Sequence, residues 1–234
     1  MTDLGAGLAA AWRLISTFDR EFYGIVGMSL AVSLAAVTLA ALVGVPAGAL
    51  LGLRRFRGRT LLTRLAYTLS GLPPVVAGLL IYLLLSRSGP FGFLSLLFTP
   101  WAMIIAQFAL ALPIVISLTA AALRVTASAV RETAISLGAT PSQADLACLR
   151  EAVPGLLAAV MTAYGRVAAE VGAVMMVGGN IRGETRVMTT AIVLETRQGH
   201  FDIALGLGLV LLTLSFVVNS LLHRLQVAQG KGVD

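Results

Sequence analysis

Residues 125–155 read VTASAVRETAISLGATPSQADLACLREAVPG. Charges at Arg131, Glu132, Asp145, Arg150 and Glu151 make this segment too polar to cross a bilayer, where each unpaired charge is costly. Its pattern is nevertheless too regular for a loose loop. Val130, Ala134, Ile135 and Leu137 fit one helical face that stops at Gly138, whose missing Cβ permits a left-handed cap. A second helix then starts, with Thr140 placed as N-cap, Pro141 at the first helical position and Gln143 where a capping box takes Glu or Gln. The segment reads as two short capped helices. Capping fixes shape and leaves use open, so a plain surface hairpin is one reading.

On both sides the chain turns apolar. Stretches from about Trp101 to Leu123 and from about Gly155 to Val177 flank the polar segment. Further out lie Ile25 to Leu53, Leu65 to Ser86 and Ile203 to Leu222, each close to the ~20 residues that a helical crossing needs. Five crossings are expected, and the composition agrees. Of 234 residues, 58% are hydrophobic and 12% charged, against about a quarter charged in soluble domains. The mean hydropathy is +0.92. Soluble globular classes are excluded, and the fold class is all-α, a polytopic membrane protein embedded in lipid.

The net charge of +6 comes from cations that are all arginine except Lys231. No basic stripe interleaved with aromatics accompanies it, so nucleic acid is not an expected partner. The arginines read instead as topology markers. If the loop holding Arg54, Arg55, Arg57, Arg59 and Arg64 is cytoplasmic, so are the 125–155 segment and the C-terminal tail, and the inner side carries ten cations against six outside. Residues 1–23 lack the basic start and apolar run of a secretory signal and read as an interfacial segment. Residues 24–225 form the transmembrane domain and 226–234 a tail. The lone Cys148 forms no intrachain disulfide, no Cys/His cluster suggests a metal, and no cofactor is expected.

Gly44, Gly48 and Gly52 recur every four residues, a small-residue face for close helix packing. Pro46, Pro73, Pro74 and Pro113 are expected to kink helices or serve as hinges. Arg166 and Glu170 are four apart, on one face of an expected fourth span. Two readings fit them: a structural ion pair, or a part in a polar path or gate. After that span, Gly178, Gly179, Asn180 and Gly183 have turn composition, and Val187 to Leu194 has an amphipathic pattern that Gly199 can end. Arg182 and Arg186 either attract an anion or an acidic partner, or are ordinary solvated arginines.

Glu132-Thr133-Ala134, three residues, then Gly138 resembles the Glu-Ala-Ala-x-x-x-Gly signature of permease subunits of binding-protein-dependent ABC importers, with Thr133 in place of an Ala. The resemblance covers roughly residues 24–225 and implies a type I ABC importer-like fold with a cytoplasmic coupling-helix element at 128–152. It assigns Glu132, Thr133, Ala134, Gly138 and Ala139 to docking on a separate ATP-binding subunit. The run Gly165-Arg166-Val167-Ala168-Ala169-Glu170-Val171-Gly172 and the following MMVGGNIRGETRVMTTAIVLET look like the oxyanion branch, most closely tungstate permeases. That makes Arg166, Glu170 and Gly172 candidates for the translocation path or gate, and Asn180, Arg182 and Arg186 candidates for its outer mouth.

The resemblance further implies a homodimer in a bacterial or archaeal plasma membrane, served by a periplasmic or extracellular substrate-binding protein. Molybdate or sulfate are alternative substrates. The chain has no G-x-x-x-x-G-K-[ST] loop and is not expected to be an enzyme. An ion-gradient-driven transporter is the main rival, but no internal repeat is visible and Glu170 is the clearest intramembrane acid. A membrane-embedded enzyme stands lower, for want of convergent catalytic groups.

Overall fold

The structure, a computed structural model, describes Gly5, Ala9, Trp12, Ser16 and residues 20–230. Most of the expected interfacial segment 1–23 and the end of the 226–234 tail lie outside those residues. Among the described residues nine α-helices follow in order: α1 Arg20–Leu53, α2 Arg59–Ser70, α3 Pro74–Leu85, α4 Pro100–Ser136, α5 Pro141–Glu151, α6 Val153–Ala168, α7 Gly172–Gly178, α8 Met188–Gln198 and α9 Phe201–Gly230. A short 3-10 turn, Gly92–Leu94, precedes α4. Three of the helices, α1, α4 and α9, are long and apolar enough to cross a membrane, and counting each bent helix pair as one span gives five.

The first, third and fifth expected crossings thus appear as single helices. The second does not. The stretch expected from Leu65 to Ser86 is α2 and α3, bent by 103° at their break. Two successive prolines explain the bend: Pro74 starts α3, and Pro73 sits before it in extended backbone at ψ 128. A residue preceding proline is pushed out of the helical region, and neither ring nitrogen can donate. Pro46 and Pro113, by contrast, lie inside α1 and α4, which continue through them.

The fourth expected crossing, Gly155 to Val177, is also divided, because α6 ends at Ala168 and α7 starts at Gly172. The polar segment differs as well. Its first helix is the C-terminal part of α4, which runs unbroken for 37 residues to Ser136. At 1.5 Å per residue that is roughly 55 Å, well beyond the ~30 Å hydrocarbon thickness.

The chain divides into two compact units. One comprises 37–72, 108–165 and 219–234. Here Gly44, Gly48 and Gly52 of α1 face Val115, Thr119 and Leu123 of α4, and a Cβ built on Gly48 would lie 2.7 Å from the Ile116 carbonyl oxygen. The small-residue face is a packing device, as its spacing predicts. Because both series ascend together, α1 and α4 run parallel, so the chain between them has to return, as counting α2–α3 as one crossing provides. Leu123, Cys148 and Ala152 form the core beneath α5.

The other unit comprises 1–36, 73–107 and 166–218. In it α3 and α7 meet closely enough that a Cβ on Gly78 would lie 2.6 Å from the Ala173 Cα. Phe22, Met188, Ala191, Leu207 and Val210 build its core. The amphipathic stretch after the glycine turn is α8, closed by Gly199 at φ 84, as its pattern predicts.

Candidate functional site

The polar segment is capped at both of its joints. Gly138 has φ +90, the Gly138 N–H donates to the Ile135 carbonyl at 2.9 Å, and the Ala139 N–H to the Ala134 carbonyl at 3.0 Å. This is the Schellman arrangement, with Gly138 in the position that favours a residue without Cβ. At α5, the Gln143 N–H donates to the Thr140 hydroxyl oxygen at 3.4 Å, and the Thr140 N–H donates to Gln143 Oε1 at 2.8 Å. The capping box read from the sequence is present.

Of the residues assigned to docking, Glu132, Thr133 and Gly138 are exposed, while Ala134 and Ala139 are half-buried. Ile135, Leu137 and Leu146 are exposed apolar neighbours, Leu137 at 82%. Exposed apolar residues on a polar segment are available for contact with another protein.

What holds this segment was not foreseen. Asp145, buried on α5, binds Arg131 of α4 at 2.5 Å and Arg54 of the α1–α2 loop at 2.8 Å. The Arg59 guanidinium caps α1 by donating to the Leu51 and Gly52 carbonyls at 2.8 and 3.2 Å, and Arg124 donates to the Thr63 hydroxyl at 3.0 Å. Some of the arginines that read as topology markers are therefore structural. No local spacing announces these pairs, though an acid on an otherwise apolar face of α5 was a visible signal.

In the other unit, Glu170 occupies the break between α6 and α7. Its carboxylate is buried, and Oε1 accepts the Ala173 N–H at 3.0 Å at the start of α7. Arg166 Nη1 is 3.9 Å from Oε2, with its side chain 43% exposed. The pair exists, but the expected continuous helix does not: Glu170 lies past the end of α6, and its first partner is a backbone amide.

Two further residues hold the break. The buried Gln107 donates from Nε2 to the Val167 carbonyl at 3.2 Å, and Thr189 donates from Oγ1 to the Glu170 carbonyl at 2.9 Å. The Val167 carbonyl also accepts the Glu170 N–H at 3.1 Å, so backbone and side chains share the carbonyls at the break, which in an apolar setting require partners. Gly172 stands where a Cβ would come within 2.9 Å of Val75 Cγ2. Glu170, Gly172 and their neighbours thus form one small polar joint, while Arg166 stands at its edge.

Arg182 and Arg186, which the sequence leaves as either anion-attracting or ordinary solvated arginines, are both engaged within the chain. Glu21 of α1 binds them: the Arg182 guanidinium donates through Nε to Oε1 at 2.8 Å and through Nη2 to Oε2, and Arg186 Nη1 reaches Oε1 at 3.3 Å. Glu21 was missed because it lies 161 residues from Arg182. Around the triad is a cavity of about 610 Å³ that Arg20, Met28 and Glu184 also line. Asn180, at φ 52, accepts the Thr190 hydroxyl at 2.9 Å and so shapes the preceding turn.

Comparison with known proteins shows the family of the chain. The family described as binding-protein-dependent transport system inner membrane component matches residues 44–233. The tungstate uptake system permease protein TupB of Peptoclostridium acidaminophilum is 40% identical over 226 residues, 97% of this chain and 99% of the relative. A probable anion ABC transporter permease protein of Haloferax volcanii is 43% identical over 84% of the chain and 87% of its own length. The molybdenum transport system permease protein ModB of Mycobacterium bovis is 31% identical over 88% of the chain and 80% of its own length. With apolar helices able to cross a membrane, the chain belongs to the family of inner membrane components of binding-protein-dependent transport systems.

Proposed function

We propose that this chain is the membrane-spanning permease subunit of an ABC importer for a tetrahedral oxyanion, tungstate first. Two copies form the path, a separate ATP-binding subunit supplies the energy, and an external binding protein delivers the anion at the Glu21–Arg182–Arg186 side. The observation that carries the reading is the 128–152 segment: a double-capped element, anchored through Asp145, that presents Glu132, Thr133 and the apolar Leu137 outward. Near-full-length similarity to a tungstate uptake permease supports the substrate. The relative named for molybdenum transport supports molybdate as the second reading.

Mechanically, closure of the ATP-binding subunits pushes on the element. Because α4 is one helix from Pro100 to Ser136, displacement at Leu137 passes into the membrane region as motion of a rod. The polar joint at Glu170 is the natural place for the path to yield, since the side chains of Gln107, Glu170 and Thr189 make several of its hydrogen bonds to backbone and can exchange them. Alternating access follows from that yielding. The test is co-purification with the ATP-binding subunit, followed by anion uptake into proteoliposomes with the binding protein. ATP-dependent uptake of tungstate is expected; uptake that persists without ATP would overturn the assignment.

A further inference from the structure

Between α1, α2 and α4, within the unit formed by 37–72, 108–165 and 219–234, lies a groove of about 570 Å³. Every side chain lining it is apolar, including Leu50, Phe56, Leu62, Leu69, Phe108 and Leu112. Helix α2 supplies one wall through Leu62, Leu65, Ala66 and Leu69, one helical face, while Arg64 falls on the opposite face. Such a helix turns its apolar face to its neighbours and its charged residue away from them.

The chain on either side of Phe56 is basic. Phe56 is flanked by Arg55 and Arg57, both exposed and, among the described residues, without an ion pair or side-chain hydrogen bond. Their neighbours are committed: Arg54 to Asp145, and Arg59 to the carbonyls ending α1. Two guanidinium groups with no partner among the described residues therefore adjoin, along the chain, a residue that lines an apolar groove, and no acid lines that groove. A second copy presenting the same face would bring these arginines against their own equivalents, an unfavourable like-charge contact.

We propose that this groove holds an acyl chain of an anionic phospholipid whose phosphate is bound by Arg55 and Arg57. Guanidinium groups suit phosphate oxygens through paired N–H donors, and basic pockets between membrane helices are favoured sites for anionic head groups.

The test uses the full chain in nanodiscs of phosphatidylcholine with or without phosphatidylglycerol, with lipid retained per chain read by native mass spectrometry during a phosphatidylglycerol titration. Selective retention of phosphatidylglycerol is expected. The double variant Arg55→Gln/Arg57→Gln should weaken it roughly 30-fold, from the usual contribution of two cations at a membrane surface, while Arg55→Lys/Arg57→Lys retains most of it. Filling the groove by Ala47→Phe should abolish retention with both arginines intact. If that variant fails to accumulate, Leu65→Gln at the exposed wall serves instead. Equal retention of the two lipids, or phosphatidylglycerol binding unchanged by either kind of variant, overturns the proposal. So does a disulfide between copies bearing Leu65→Cys, which would place a second chain in the groove.

Discussion

Replacing Asp145 by Asn keeps the shape of the side chain and removes its charge. In the structure, one carboxylate oxygen meets Arg131 at 2.5 Å and the other meets Arg54 at 2.8 Å. Hydrogen bonds to charged groups contribute ~1.5–3 kcal/mol each. Arg54 is 56% exposed, so solvent screening places its share low, and Arg131, at 32%, carries more. An Asn oxygen can still accept from one guanidinium, but its amide then faces the other. A loss of about 2–3 kcal/mol for docking of α5 follows.

Cys148 reports this loss directly. It is the only cysteine, lies fully buried against α4 on the same helix, and donates from Sγ to the Ala127 carbonyl at 3.8 Å. In a segment read as outside the bilayer, burial also pushes its thiol above the ordinary range. Modification by maleimide thus requires α5 to lift, and the rate should rise roughly 30- to 150-fold in the Asp145→Asn chain. Arg54→Gln should raise it less than Arg131→Gln. A rate within about twofold of the unsubstituted chain would refute the anchoring role of Asp145, since a shift of 1.4 kcal/mol alone gives tenfold.

Other substitutions test separate links. Gly138→Val forces a branched side chain into positive φ at a cost of ~1–2 kcal/mol with no steric clash around the Cβ, so ATP hydrolysis by the assembled complex should persist while anion uptake falls; unchanged coupling would count against the joint. Glu132→Ala should uncouple in the same way without reducing membrane insertion, as read by uptake per ATP hydrolysed. Gly48→Ala places a Cβ 2.7 Å from the Ile116 carbonyl oxygen and should destabilise by ~1–3 kcal/mol, whereas Gly27→Ala meets open space and should not; equal melting temperatures would contradict the packing. Glu21→Gln leaves Arg182 and Arg186 without their shared carboxylate, and uptake should become more sensitive to salt, measured as the change in KM between low and high ionic strength.

Local signals were the most legible. Thr140, Pro141 and Gln143 define a helix start within four residues, and Gly138 a helix end, because caps are made by near neighbours. Hydropathy found α1, α4 and α9 for the same reason. The Pro73–Pro74 break was visible but read as a kink, although two adjacent rings leave no helical path through them. The interruption at Ala169–Val171 contains neither Gly nor Pro, and its stabilisers Gln107 and Thr189 come from distant parts of the chain. Glu21, Asp145 and Arg54 were hidden similarly: charge type is readable from sequence, but the choice of partner depends on the fold.

Site-directed labelling of Leu137→Cys in a Cys148→Ser background tests the account most directly, because Leu137 is 82% exposed beside the Gly138 joint. A membrane-impermeant maleimide should react with this position only after cells are permeabilised, since the element has to meet an ATP-binding subunit inside the cell. Full reaction in intact cells would put the element outside and contradict the importer mechanism.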